Sequence, residues 1–307
     1  MADKSILVIV DPTADTHPVV DRAAWLAKDC SASVELFICD YDADIDAGQT
    51  SAVWVKQTEN ARDHLLGILK QKLEDLAAPL RSAGLDVSVD VAWDHPLGEA
   101  LVRKIAKSKP WLVAKDTHHH NVLKRTILSN TDWHLIRECP APLYLAKPDA
   151  VDKHPKIVVA VDPLHEHDKP ATLDHKLVAV GQELTVATSG ELHIVHTYPL
   201  PQPMSVPEGA PIVDLSEEVE AEHRRAFEAF LEKYSIPAGQ THLLEGLPHQ
   251  RLPGLVEKEG IGIMVMGAVS RRGLDRVFLG STAERVLDRL PCDLMIIKPE
   301  SFTSSPG

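Results

Sequence analysis

Residues 266–287 read MGAVSRRGLDRVFLGSTAERVL. An apolar run ends in Gly267, a basic stretch continues through Gly273, and Gly280-Ser281-Thr282 stands in front of a helix-like pattern. That order suits an anion held on backbone N–H groups at a helix N-terminus. The same residues also read as a plain cap. Ser281 with Glu284 spells S-T-A-E, a capping box that contributes about 0.5–2 kcal/mol to a helix with no ligand at all. Gly267 and Gly280 flank one crossover, which fits close backbone approach at the mouth of a sheet and equally fits turn geometry. Arg271, Arg272 and Arg276 have the chemistry to reach a phosphate, or they form a solvated basic loop.

Other candidates are thinner. Asp11 and Asp162 each follow an apolar run, at the strand end where open α/β sheets bind ligands, but an aspartate there also starts turns and caps helices. His118-His119-His120 invites a metal, yet three consecutive side chains rarely converge on one ion, and His165 and His167 fare no better. His223, on an amphipathic stretch, reads as a boundary residue rather than a ligand. No G-x-S-x-G, G-x-x-x-x-G-K-[ST] or H-E-x-x-H occurs, so the expectation is a protein that binds rather than one that turns over substrate, and any hydrolysis should be slow.

The net charge of −13 argues against a phosphate-backbone footprint and so against nucleic-acid binding. The first apolar run, Ile6 to Val10, is broken at once by Asp11, too short for a signal-peptide core or a membrane span, and a cytoplasmic location is the expectation. Cys30, Cys39, Cys139 and Cys292 form no C-x-x-C pair and read as reduced, partly buried thiols.

These residues must be positioned by a repeated framework. SILVIVDP at 5–12 matches KIVVAVDP at 156–163, and PAPLYLAKP at 140–148 matches PCDLMIIKP at 291–299, both at an offset of 151. The chain is therefore a tandem duplication: a first domain over 1–149, a second over 150–300, and a frayed tail at 301–307, joined through the turn-prone DAVDKHP at 149–155. In the second half, β-branched runs at 157–161, 192–195, 261–266 and 292–297 alternate with amphipathic stretches. The clearest of these is 215–234, with Val219, Ala226, Phe227, Phe230, Leu231 and Tyr234 at helical spacing. The first half carries a longer helix with a Leu65, Leu69, Leu73, Leu76, Leu80 stripe and Gly84 just past its end. Proline crowds 198–213, a surface loop. Alternating strands and helices predict two doubly wound α/β domains with parallel sheets.

An aspartate closing the first strand, a late G-x-x-(G)-x9-G-(S/T) element before the last helix, and TDWHLIRECPAP at 131–142 together resemble the universal stress protein family, over nearly the whole chain and once per half. The resemblance implies two fused five-stranded, adenine nucleotide alpha hydrolase-like domains arranged as a pseudo-two-fold dimer. Residues 142–147 and 293–298 would then pair across the axis and remove a sheet edge from each domain. It also implies an adenine nucleotide with Mg²⁺ as ligand. In the second half, Asp162 and Pro163 would face adenine and ribose, Val195, at the end of the next strand, would lie against the base, Met266 and Gly267 would pass the ribose, and Gly280, Ser281 and Thr282 would meet the phosphates. One position departs: Ser270 stands where the binders have glycine, and its Cβ restricts positive φ and backbone approach. Binding there is expected to be weak. In the first half Gly267 becomes Asp116, Ser270 becomes His119, Gly280 becomes Ser129 and Ser281 becomes Asn130, so that half is read as a non-binder. The family resemblance further implies roles in stress resistance and in motility or adhesion, with unnamed protein partners and a monomeric pseudo-dimer or a homodimer as the assembly. Two other readings stand beside it: a slow ATP hydrolase using the second half, with Mg²⁺ near Asp162, and a carrier of a small amphipathic molecule beside Trp93, Trp111 and Trp133.

Overall fold

A strand covered by helices on both faces has no polar side, and Ile6 to Ile9 are each at most 5% exposed, as a parallel strand at the centre of a doubly wound sheet requires. A computed structural model describes residues 4–46, 52–117, 119–120, 125–126, 128–149, 151–164, 171–199, 215–268, 270–272, 277–279, 285–287, 289–300 and 302. The chain divides into two compact units between Ala150 and Val151.

The first unit runs β1 (Ser5–Ile9), α1 (Pro18–Cys30), β2 (Ser33–Asp40), α2 (Ala43–Asp46), α3 (Ala52–Ser82), β3 (Val87–Trp93), α4 (Leu97–Ser108), β4 (Leu112–Asp116), a short hairpin of β5 (His119–His120) and β6 (Arg125–Thr126), α5 (Asn130–Glu138) and β7 (Leu143–Ala146). Its five principal strands pair in parallel in the order β7-β4-β1-β2-β3. Successive strands are laid to one side of β1 and then to the other, so the strand order reverses between β1 and β4. Open α/β sheets bind ligands at this crevice, beyond the carboxyl ends of the strands.

The second unit repeats the plan with β8 (Lys156–Val161), α6 (Ala171–Thr188), β9 (Glu191–Tyr198), α7 (Ser216–Leu231), β10 (Thr241–Glu245), α8 (Pro248–Glu259), β11 (Ile261–Gly267), a hairpin of β12 (Ser270–Arg272) and β13 (Val277–Leu279), and β14 (Asp293–Ile297). Its sheet order is β10-β9-β8-β11-β14, again all parallel. Every apolar run predicted in this half is a strand. β10 had no such signal: its residues are neither fully apolar nor fully buried, since it is the unit's outer strand beyond β9.

Local physics sets the helix ends. α3 buries Leu69, Leu73 and Leu80 of the predicted stripe. It ends where Gly84, at φ +87°, donates to the Arg81 carbonyl and Leu85 donates to the Leu80 carbonyl, a left-handed stop that a Cβ would strain. α7 buries His223, Phe227 and Phe230 on one face. α1 begins with proline in its first turn and has no cap from its own neighbours; the group that caps it comes from ninety-seven residues away.

Candidate functional site

The mouth of the first unit is filled by its own charges. Asp116 closes β4 beside the β1–β4 crevice and is 8% exposed; its Oδ1 accepts from the Val19 N–H in the first turn of α1 at 2.8 Å. This carboxylate takes the position an anionic ligand would take at that helix N-terminus. The next helix along is served the same way. Ser129 Oγ accepts from the Asp132 N–H, and Asp132 Oδ2 accepts from the Ser129 N–H, a complete capping box at the start of α5. Asp132 is wholly buried, and its other oxygen lies 2.8 Å from Lys115 Nζ, itself 6% exposed and also donating to the Asp116 carbonyl. Sequence reasoning found Asp116 but missed Lys115 and Asp132. The signal was the constant offset, which aligns them with Met266 and Ala283.

Asp11, the other acid at this crevice, is occupied locally: its Oδ1 accepts from the Thr13 N–H at 2.8 Å and the Thr13 hydroxyl at 2.7 Å, the turn-forming alternative for an aspartate at a strand end. His17 sits between, its side chain 4% exposed and its Nδ1 3.8 Å from Asp116 Oδ2. Burial, with Lys72 nearby, holds its pKa below the ordinary histidine value, although Asp11 pulls the other way. Of the three tryptophans expected at this mouth, Trp93 is there, ending β3 with its ring 5.7 Å from that of Tyr41. Trp111 is not: it precedes β4, at the amino end of the strands, under Lys4, whose ammonium is 4.4 Å from the ring. Trp133 lies on α5 with Arg137 over it.

In the second unit the equivalent of Asp116 is Gly267, last residue of β11. A Cβ there would come within 2.9 Å of Leu173 Cδ2 and 3.6 Å of Leu177 Cδ1 on α6. Tight helix–sheet packing is therefore one reason for the glycine, whether or not a ligand passes it. Asp162 follows β8 directly, with Pro163 in the turn, and its N–H donates to the carboxylate of the wholly buried Asp174, 3.3 Å from either oxygen. Met266 is 8% exposed and paired opposite Ile296.

Two expectations need correction. Val195 is not at the end of its strand: β9 runs on to Tyr198, and Val195, 1% exposed, is paired with Ala160, two residues before Asp162. The short apolar run in the sequence stopped at Val195 because the strand continues with His196, Thr197 and Tyr198, which are polar in type. His196 and Tyr198 are nevertheless buried, under α7. Ser270, in turn, opens the β12–β13 ladder opposite Leu279. Ladder residues are extended, a conformation open to any residue, so the argument from positive φ does not apply and only the steric one remains. We expect Ser270→Gly to change nucleotide affinity by less than about threefold, where relief of a strained φ would give roughly tenfold. Isothermal calorimetry with Mg-ATP distinguishes these. Gly280, Ser281 and Thr282 lie outside the described residues, as do His118, His165, His167, Gly273 and Arg276. Among the described residues no group of three histidine, cysteine, aspartate or glutamate side chains is placed to hold a metal, and no helix is long and apolar enough to cross a membrane.

A parallel sheet wound outwards from a central strand with an aspartate just beyond its end, built twice in succession, places this chain among tandem doubly wound α/β proteins. Comparison with known proteins makes the assignment specific: the model of the universal stress protein family matches residues 3–147 and again 154–298, and the chain belongs to that family as a tandem-domain member. Universal stress protein E of Escherichia coli is 31% identical over 303 residues, covering 97% of this chain and 95% of that protein. The Universal stress protein E homolog of Haemophilus influenzae is 26% identical over 318 residues, with 97% and 98% covered. Among solved structures, a functionally unknown protein from Pseudomonas aeruginosa is 26% identical and superposes with a TM-score of 0.76 over 97% of this chain and 94% of that one. A universal stress protein from Archaeoglobus fulgidus, 17% identical with a TM-score of 0.64 over 97% and 99%, shares the fold.

Proposed function

We propose that this protein acts in the cytoplasm by binding rather than turnover, as a stress-resistance protein whose second unit takes an adenine nucleotide with Mg²⁺ weakly and whose first unit takes none. The supporting observation is the exchange of one charged set for a neutral one between the repeats. Asp116 and Asp132 supply the first unit with its own anions at two helix N-termini, and Lys115 pairs with Asp132. The residues at the same offset, Met266, Gly267 and Ala283, carry no charge, so phosphate is not repelled there. Asp162 and Pro163 would hold the nucleoside end, and Gly280, Ser281 and Thr282 the phosphates. The bound nucleotide supplies the negative charge that the first unit provides for itself.

Calorimetry and native mass spectrometry of the full chain test this. One nucleotide per chain is expected, with Asp162→Ala weakening it by at least about tenfold, a loss of roughly 1.4 kcal/mol, and Asp11→Ala leaving it unchanged. No binding at millimolar Mg-ATP, or two nucleotides per chain, would refute the assignment. Turnover that survives purification and disappears with Asp162→Ala would favour the slow hydrolase instead. The same reading relates the two domains by a pseudo-two-fold axis, on the strength of the constant offset of 151. A crystal structure with residues 142–147 and 293–298 on opposite faces of the molecule would sink that arrangement.

A further inference from the structure

The second unit has a buried pair of imidazoles at the mouth end of its sheet that the binding reading does not use. His196, near the end of β9, is 2% exposed, and His223, in the middle of α7, is 3% exposed. His196 Nδ1 is 3.1 Å from the Val161 carbonyl, which can only accept, so Nδ1 carries the proton and Nε2 the lone pair. That lone pair faces His223 Nδ1 at 2.8 Å, which must therefore donate. This hydrogen bond joins helix to sheet, and it needs a lone pair on one of the two facing nitrogens, which one added proton leaves in place and two remove. A first added proton puts charge on a pair with almost no access to water; a second sets two N–H groups against each other.

We propose that His196 and His223 form an acid-sensitive latch, which at neutral pH holds the first half of α7 on the mouth end of the second unit's sheet and on acidification releases it. The anchor points of α7 locate the effect. Its buried residues are His223, Phe227 and Phe230, so His223 is the buried anchor of the helix ahead of the two phenylalanines, beside the bond from Glu220 to Tyr198. The charged and titratable groups around His196 come from every neighbouring element. Asp162 beyond β8 and Asp174 on α6 favour its charged form, whereas His223 on α7 opposes it. Tyr198, stacked on His223 at 5.3 Å, has Glu220 and Arg224 of α7 and Glu245 of β10 beside it. Burial is the largest influence and holds His196 below the ordinary histidine range. The unfolded chain protonates near pH 6.5, so the latch is fully stable above that value and weakens as pH falls below it.

The first unit provides an internal control. Val10 and Ile38 stand where Val161 and His196 stand, and Ile38 is wholly buried with nothing to titrate. A second pair, His193 and His242, stacks at 5.3 Å between β9 and β10; alternation along the strand puts His193 on the opposite face from His196, so its own titration is read in β10 and not in α7.

The test is hydrogen exchange by mass spectrometry on the full chain at pH 7.5 and 5.5, corrected for intrinsic exchange rates. Protection across 216–226 should fall about fivefold or more at the lower pH while α3 keeps its protection, and His196→Ile with His223→Leu should abolish the response. Equal loss in both units, no loss at all, or a response that persists in the double variant would overturn the proposal. Should that variant not fold, side-chain NMR of the wild-type histidines decides. Titration of His196 and His223 together with loss of α7 protection supports the latch, and titration without it overturns the latch.

Discussion

Replacing Asp132 by alanine is expected to lower the stability of the first unit by about 3–5 kcal/mol, the usual result of stranding one partner of a buried ion pair. Lys115 would keep its charge in a setting where its side chain is 6% exposed, and α5 would lose the carboxylate half of its capping box. At about 2–4 °C per kcal/mol for a unit of this size, the thermal midpoint should drop by roughly 10 °C. The second repeat suggests the substitution, since its sequence has Met266 and Ala283 at the same offset. Lys115→Met combined with Asp132→Ala should recover most of the loss, because two neutral residues leave no unpaired charge. Differential scanning calorimetry of the three variants checks this. A double variant no more stable than Asp132→Ala alone would show that the cap, and not the ion pair, was the main contribution.

Gly267→Asp is the reciprocal change, and it should abolish nucleotide binding by the second unit at millimolar concentration. Two effects combine. The added Cβ meets Leu173 Cδ2 at 2.9 Å, an overpacking contact that typically costs about 1–3 kcal/mol. The carboxylate then places negative charge where phosphate would run, as Asp116 does in the first unit. Gly267→Ala separates the two, because it keeps the steric contact and omits the charge. It should match the aspartate variant in thermal shift but retain measurable binding. If alanine and aspartate abolish binding equally, the glycine serves the packing of α6 and the charge argument fails.

Much of this was legible in the sequence because it depends on short-range pattern. The duplication, the alternation of strand and helix, the left-handed stop at Gly84 and the family itself follow from apolar periodicity and a repeated offset, which act over a few residues at a time. Asp116 was legible as a misfit for the same reason: a carboxylate stood where its repeat has glycine. The tertiary structure alone decided what the misfit does. Asp116 caps α1 from ninety-seven residues away, and Asp132 meets Lys115 only because β4 and α5 converge at the sheet mouth. Burial separated residues that look alike in the sequence. His196 and His223 are polar letters that break an apolar run and an amphipathic face, and folding places them against each other with almost no water. The end of β9 was misjudged for this reason, since the strand continues through residues whose polarity is satisfied by partners that the local sequence does not contain.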